Sequence, residues 1–442
     1  MYASQPRPGL VAPGSIPLPD EVPADVAVAW FDQLYDLVKA EELAPPPASR
    51  IYGVAAVALY EAIVGGSPEN VSLAGQLNDL DALPQPHPHR HYDWPAVANS
   101  ALARVVQGLF PRASEASLQA INALEHQFDS ALQASLRPRL YARSVQLGQT
   151  VAEAVLAWAA TDGIGLFANC PYTPPAGPEF WESTPPAYTS YPSQPCWGQL
   201  RPFTLTSGAA CAPPPPPAYS EDPASEFYAN AFQVYDTNVT LTEEQRTIAQ
   251  YWADNPGATG TPPGHWVAIT GQIVRQDGLS LMAAAEGYAR VGIAVADAFI
   301  SCWDTKYTYN LLRPVTYIQR LIDTTWLPFI VTPPFPEYPS GHSTQSAAAA
   351  AVLTDMFGVR VFTDTTHLDH ELVPPLEPRS FGSFEEAAEE AALSRLYGGI
   401  HYPFGNNNGL AQGRCIGQAI LDRVQFTRES TVDVQLRREP AR

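Results

Sequence analysis

The chain has 442 residues, enough for one large domain or two to three ordinary ones, and 45% of them are hydrophobic, so a sizeable core can form. Its 45 prolines, about twice the average usage, demand much extended or turning chain. A net charge of −20 repels nucleic acid and anionic lipid, and it obliges any anion site to be built locally against the protein's own field.

Residues 1–24 read as an extended arm. They show no apolar signal core, and no run of about 18 apolar residues marks a membrane span. The expectation is a soluble protein, with secretion or a periplasmic location favoured over the cytoplasm. Residues 25–162 form an N-terminal helical half. Two helices fall within 25–65, where apolar residues recur at spacings of three and four. A proline- and histidine-rich connector follows at 83–91, read as a solvated loop, with a metal-binding tract as the alternative. Two or three more helices fill 94–162, one of them running from about Pro138 to Ala160 with proline in its first turn.

Residues 163–240 read as a proline-rich strap, irregular above all over 163–225, where the run Pro213–Pro217 lies. Trp181, Trp197 and Phe203 predict that it packs on the surface rather than linking free domains. Residues 241–430 form a C-terminal helical bundle. Thr242 starts one helix, and others are predicted at about 264–277, 279–312, 342–356, 384–400 and 409–424. Strand signals are weak throughout. The fold class is therefore all-α, two helical-bundle halves with the strap between them. Among five cysteines, Cys170, Cys196 and Cys211 lie in irregular sequence where a bridge can form, whereas Cys302 and Cys415 lie in helical sequence and read as small buried apolar residues.

Three segments carry chemistry. Lys306 and Arg313 are seven apart, which places both cations on one helix face if the helix continues until Pro314 ends it. In Phe335–Thr344, the string Pro339-Ser340-Gly341-His342 breaks the chain just before an alanine-rich run. Ser340 or Gly341 then sits at a helix entry, whose free N–H groups suit an oxyanion, and His342 stands at the mouth as an acid or base. Arg395 and His401 are six apart, with Gly398 and Gly399 ending or bending the helix between them. Each segment alone also has an ordinary explanation: a solvated cationic stripe, a capping serine, a core histidine. Together they supply two arginines, a lysine, two histidines, a serine and a backbone amide, with no carboxylate at a motif position. That set describes a cage for a phosphate- or vanadate-sized anion.

The order Lys-six residues-Arg-Pro, Pro-Ser-Gly-His, Ser-Arg-five residues-His resembles the signature of the type 2 phosphatidic acid phosphatases and vanadium haloperoxidases. All signature positions match, with 24 residues between Pro314 and Pro339 and 51 between His342 and Ser394. Trp303, Phe335 and the stretch Trp252–Asp254 with Thr261-Pro-Pro resemble the chloroperoxidase-like branch, and the likeness is firm over about 240–425. It implies a haloperoxidase-like fold and a vanadate cofactor, which phosphate can replace in the apo enzyme. His401 would bind vanadium, with Lys306, Arg313, Ser340, Gly341 and Arg395 holding the oxygens. His342 would be the general base, and Lys306 would polarise bound peroxide. Trp303 and Phe335 would line the halide site, and Asp254 would orient the arginines. Hydrogen peroxide, halide (chloride or bromide) and a small organic acceptor are the implied partners; a homo-oligomer is compatible. The competing reading is an acid phosphatase in which His401 forms a phosphohistidine in the same cage.

Overall fold

A computed structural model describes residues 17–428. Five helices make up the first part: α1 (Asp25–Ala40), α2 (Pro45–Val64), α3 (Trp94–Leu109), α4 (Glu115–Ser135) and α5 (Pro138–Ala159). Pro45 and Pro138 each stand in a first turn, where no N–H is required. The described end of the N-terminal arm docks on the later half of the chain: Leu281 N–H donates to Val22 O at 2.8 Å. Among the described residues no helix is long and apolar enough to cross a membrane.

Up to about residue 225 the strap holds no α-helix among its described residues, only short 3-10 turns at Ile164–Asn169, Trp197–Gln199 and Gly208–Cys211. Its last part is instead helix α6 (Glu226–Val239), capped by Ser225, whose hydroxyl accepts from Tyr228 N–H at 3.1 Å. Only Phe227, Ala231 and Val234 of α6 are buried, so its apolar stripe is too narrow to stand out beside proline-rich sequence. Then follow α7 (Glu243–Tyr251), started by a Thr242–Gln245 capping box, α8 (Thr261–Asp277), α9 (Leu281–Tyr309), α10 (Pro314–Leu321), α11 (Gly341–Phe357), the short α12 (Thr366–Asp369), α13 (Phe384–Tyr397) and α14 (Pro403–Arg423). Two three-residue strands, β1 (Phe362–Asp364) and β2 (Arg379–Phe381), pair antiparallel around Phe362 and Phe381.

One hydrophobic cluster runs through both helical halves, from Trp30 and Leu59 to Trp266, Ile293, Leu353 and Ile420. The halves touch backbone to backbone where α2 crosses α9, since a Cβ on Gly53 would lie 2.9 Å from Gly292 O. A similar approach holds α14 against α11. Gly409, Gly413 and Gly417 recur every four residues, and a Cβ on Gly413 would lie 2.1 Å from Thr344 O. That contact fixes the N-terminus of α11, where Ser340 and His342 stand, against the element that follows His401.

The strap is fastened covalently. Cys170 bonds Cys196, and Cys211 bonds Cys415, joining the strap to α14 across 204 residues of sequence. Cys302 is free and buried, in line with its reading, but Cys415 is not the apolar core residue expected: its helix passes beside the turn at Gly208–Cys211. Closing so long a loop restricts the unfolded chain, so Cys211→Ser with Cys415→Ala should cost ~2–5 kcal/mol. Thermal or denaturant unfolding with and without the pair measures this; an unchanged midpoint would deny the bond a stabilising part.

Candidate active site

The cationic segment departs from a single helix face. Helix α9 stops at Tyr309, Asn310 turns left-handed at φ 50°, and Arg313 is the N-cap residue of α10, with Pro314 opening that helix rather than ending the previous one. Lys306 therefore points from the last turn of α9, whereas Arg313 reaches in from an extended linker. Both are buried. The three ammonium protons of Lys306 go to main-chain carbonyls of the turn before α11: Pro336 O at 3.0 Å, Glu337 O at 2.8 Å and Pro339 O at 2.6 Å. Burial draws its pKa down to about 7.

Arg313 donates from Nε to Phe335 O at 2.8 Å and from Nη1 to Ile400 O at 2.9 Å, and the same Nη1 lies 3.2 Å from His401 Nε2. Its Nη2 has no protein partner. Arg395, in the last turn of α13, donates from Nη1 to Trp252 O at 2.8 Å and leaves Nε unpartnered. Burial lowers Arg313 to about 10 and Arg395 to about 9, and both remain cations at neutral pH. The predicted glycine break is present: Gly399 adopts φ 79° and turns the chain so that His401 comes back beneath Arg313.

Ser340 caps α11, its hydroxyl oxygen accepting from Ser343 N–H at 3.3 Å, and Gly341 is the first helical residue. The first-turn amides there have no acceptor inside the helix. His342 is half-buried, and its Nε2 has no partner. Burial, and then Arg395, hold His342 well below the usual imidazole range. Burial, and then Arg313, do the same to His401. Trp303 and Phe335 pack with ring centroids 4.9 Å apart, and Lys306 and Arg313 lie over the Phe335 ring at 5.2 and 4.8 Å.

Two buried acidic features were not legible. Glu337, between Pro336 and Tyr338, places its carboxyl Oε1 2.7 Å from His401 Nδ1. It stands three residues before Ser340 within the proline-bounded string, and a carboxylate so close to an anion motif is the signal that could have exposed it. The second feature is the pairing of Asp254 and Asp364 with one imidazole. Among the described residues no hydrogen bond joins Asp254 to Arg313 or Arg395, whose orientation comes from main-chain carbonyls. Asp254 Oδ2 meets His265 Nδ1 at 2.9 Å instead, and Asp364 Oδ2 meets His265 Nε2 at 2.7 Å. The charge of Asp254 still reaches Arg395, opposing the loss that burial causes. No sequence spacing links residues 254, 265 and 364.

Burial alone would lower His265, but Asp254 and Asp364 outweigh it and raise it from 6.5 to about 10. A cation favoured by folding stabilises fully below the unfolded pKa of 6.5, and its contribution is lost as pH rises through about 10. The stability gap between the wild type and His265→Gln should therefore narrow from pH 6.5 towards 10 in thermal unfolding. A gap independent of pH would show that the imidazolium contributes nothing.

His342, Arg395, His401, Trp303, Phe335, Gly341 and Asp254 line a cavity of about 490 Å³. That volume lies in the roughly 300–1,000 Å³ range of small-molecule sites. Its outer walls come from both halves and the strap, with Pro45, Pro185, Pro186, Pro256, Pro262, Pro333 and Pro334 prominent. A larger cleft of about 1030 Å³ near Asp20–Asp32 and Val274–Ser280 contains none of the motif residues, so size alone would mislead.

Residues 287–430 match the family model described as the VCPO second helical-bundle domain. The chain is 35% identical to the first bacterial vanadium-dependent iodoperoxidase solved by crystallography, with a TM-score of 0.85, covering 92% of this chain and 98% of that one. A holo-type bacterial vanadium-dependent chloroperoxidase shares the fold at TM-score 0.68 and 15% identity, over 87% of this chain and 93% of that one. Two curated relatives align over shorter stretches. The vanadium chloroperoxidase of Curvularia inaequalis is 25% identical over 35% of each chain, and the vanadium-dependent bromoperoxidase of Ascophyllum nodosum is 31% identical over 24% of this chain and 21% of that one. Those alignments span well under two thirds of the curated relatives' length, but the iodoperoxidase match runs nearly end to end in both chains. The shared helical fold and that end-to-end identity settle the assignment: the chain belongs to the vanadium-dependent haloperoxidases.

Proposed function

We propose that the chain oxidises halide with hydrogen peroxide at a vanadate ion held at the floor of the 490 Å³ cavity. One observation carries this reading: several buried polar atoms of the motif residues lack partners, and only a guanidinium N–H meets the inward nitrogen of His401. Arg313 Nη2, Arg395 Nε and His342 Nε2 are unpartnered, and His401 Nε2 faces only Arg313 Nη1. Such groups are costly to bury unless an anion completes them. A tetrahedral oxyanion fits that donor set, because the guanidinium groups, the Ser340 hydroxyl and the Gly341 amide can all donate to its oxygens. His401 Nε2 is the nitrogen available to the metal.

When bound, vanadate supplies a Lewis-acidic centre that activates peroxide without changing oxidation state. Arg313 and Arg395 hold the anion and neutralise its charge. His342, neutral because it is buried beside Arg395, accepts a proton at Nε2 from incoming peroxide. Lys306 contributes positive charge and braces the turn 336–339; hydrogen bonding to the anion or to peroxide would replace one of its three bonds to carbonyls. Trp303 and Phe335 keep the halide's approach apolar and poorly hydrated. The proline-rich outer wall suits an apolar organic acceptor for the oxidised halogen. Iodide joins chloride and bromide as a candidate, given the 35% identity to an iodoperoxidase. Two disulfides fit an oxidising compartment outside the cytoplasm.

The test is to load the metal-free protein with orthovanadate and follow iodide, bromide and chloride oxidation by peroxide, with a chromogenic phosphate ester as control. Vanadate-dependent halide oxidation exceeding ester hydrolysis is expected. Hydrolysis without halide oxidation would favour the phosphatase reading of the same cage.

A further inference from the structure

We propose that Glu337 is a positioning residue that fixes the proton of His401 on Nδ1 and so keeps Nε2 open as the metal-binding nitrogen. This rests on the assignment of His401 as the vanadium ligand. His401 Nε2 lies 3.2 Å from Arg313 Nη1, and a guanidinium group can donate but not accept. Nε2 must therefore carry a lone pair, which leaves the ring proton on Nδ1. That nitrogen lies 2.7 Å from Glu337 Oε1. The other tautomer would set two N–H groups against each other and turn the ring's lone pair from the cavity towards the Glu337 carboxylate.

The carboxylate is itself held in place. Its Oε1 also accepts from Tyr402 N–H at 3.1 Å, so one oxygen receives two successive groups of the His401–Tyr402 turn. Gly405 closes the other side, since a Cβ there would come within 2.2 Å of Oε1. The main chain of Glu337 joins the remaining segments: its N–H donates to Leu311 O at 2.9 Å, and its carbonyl accepts from Lys306 Nζ at 2.8 Å. Glu337 is fully buried. One residue thus couples the lysine, the linker leading to Arg313 and the histidine. Outer carboxylate partners of this kind fix ring orientation and tautomer and raise the basicity of the ligating nitrogen.

Two variants and one spectrum test the assignment. Glu337→Met keeps the volume and removes the acceptor, whereas in Glu337→Gln the amide oxygen can still receive both N–H groups. In the full-length protein, vanadate affinity read by calorimetry or ⁵¹V NMR should fall about 10- to 100-fold for Glu337→Met and stay within a few-fold of wild type for Glu337→Gln. In ¹⁵N-histidine-labelled wild type before vanadate addition, His401 Nε2 should resonate as a lone-pair nitrogen and Nδ1 as a protonated one, with that pattern lost in Glu337→Met alone. Unchanged affinity and tautomer in Glu337→Met would overturn the proposal, as would a wild-type spectrum with the proton on Nε2. A wild type that binds no vanadate would instead overturn the reading beneath it, while the tautomer assignment would still be decided by the spectrum.

Discussion

Replacing His401 by alanine is expected to abolish halide oxidation and to weaken vanadate binding by at least about 100-fold, the upper end of what losing only an outer partner of a metal ligand costs. The reason is a division of labour within the cage. Arg313, Arg395, Ser340 and Gly341 offer hydrogen bonds and positive charge, which hold any small oxyanion. The Nε2 of His401 offers a lone pair beside them, 3.2 Å from Arg313 Nη1. Burial and the neighbouring cations keep that ring neutral and ready to act as a ligand far below the usual imidazole pKa. The variant should therefore retain weak, salt-sensitive anion binding from the arginines and nothing more. Calorimetric titration with orthovanadate alongside an iodide-oxidation assay separates the two losses, and full activity in this variant would end the assignment.

His342→Ala should behave differently, keeping vanadate while turnover falls roughly 10²–10⁴-fold, the usual contribution of a positioned proton-transfer group. His342 enters from the first turn of α11 rather than from the ligand segment, and no hydrogen bond occupies its Nε2. Chloride oxidation, the most demanding of the three halide reactions, should suffer most. Because burial and Arg395 hold His342 well below 6.5, the wild type should show no loss of base function as pH falls through 6.5. A pH profile with a steep inflection there, or a His342→Ala enzyme with unchanged turnover, would remove His342 from the proton-transfer role.

In a chain of net charge −20 the cations of the proposed cage are buried. Lys306, Arg313 and Arg395 are all shielded from solvent, where their attraction for an oxyanion is less damped than at the surface. The nearby carboxylates each turn one oxygen to a histidine, Glu337 to His401 and Asp254 to His265. The acidic surface thus weakens long-range steering of halide without cancelling the cage.

The long helices were legible because local patterning decides them: Pro138 in a first turn, Thr242 at an N-cap and the apolar stripes of α1 and α2 each act within a few residues. The segments of the proposed cage stand out in the sequence for a related reason. Ser340-Gly341 at a helix entry and Gly399 at a helix exit impose backbone geometry through nearest neighbours. Helix α6 was hidden because three buried side chains make a faint stripe, and the end of α9 was misplaced because Asn310 stops it four residues before Pro314 would. What lies across the ring of His401, what holds Asp254, and which cysteine meets Cys415 were decided only by folding. Those contacts join residues 64, 11 and 204 positions apart, in Glu337–His401, Asp254–His265 and Cys211–Cys415. Composition and periodicity determined which segments become helices and which residue types can bind an oxyanion. The pairing of each donor with its acceptor depended on helix crossings set by buried glycines and shared core volume, and such crossings leave no periodic mark along the chain.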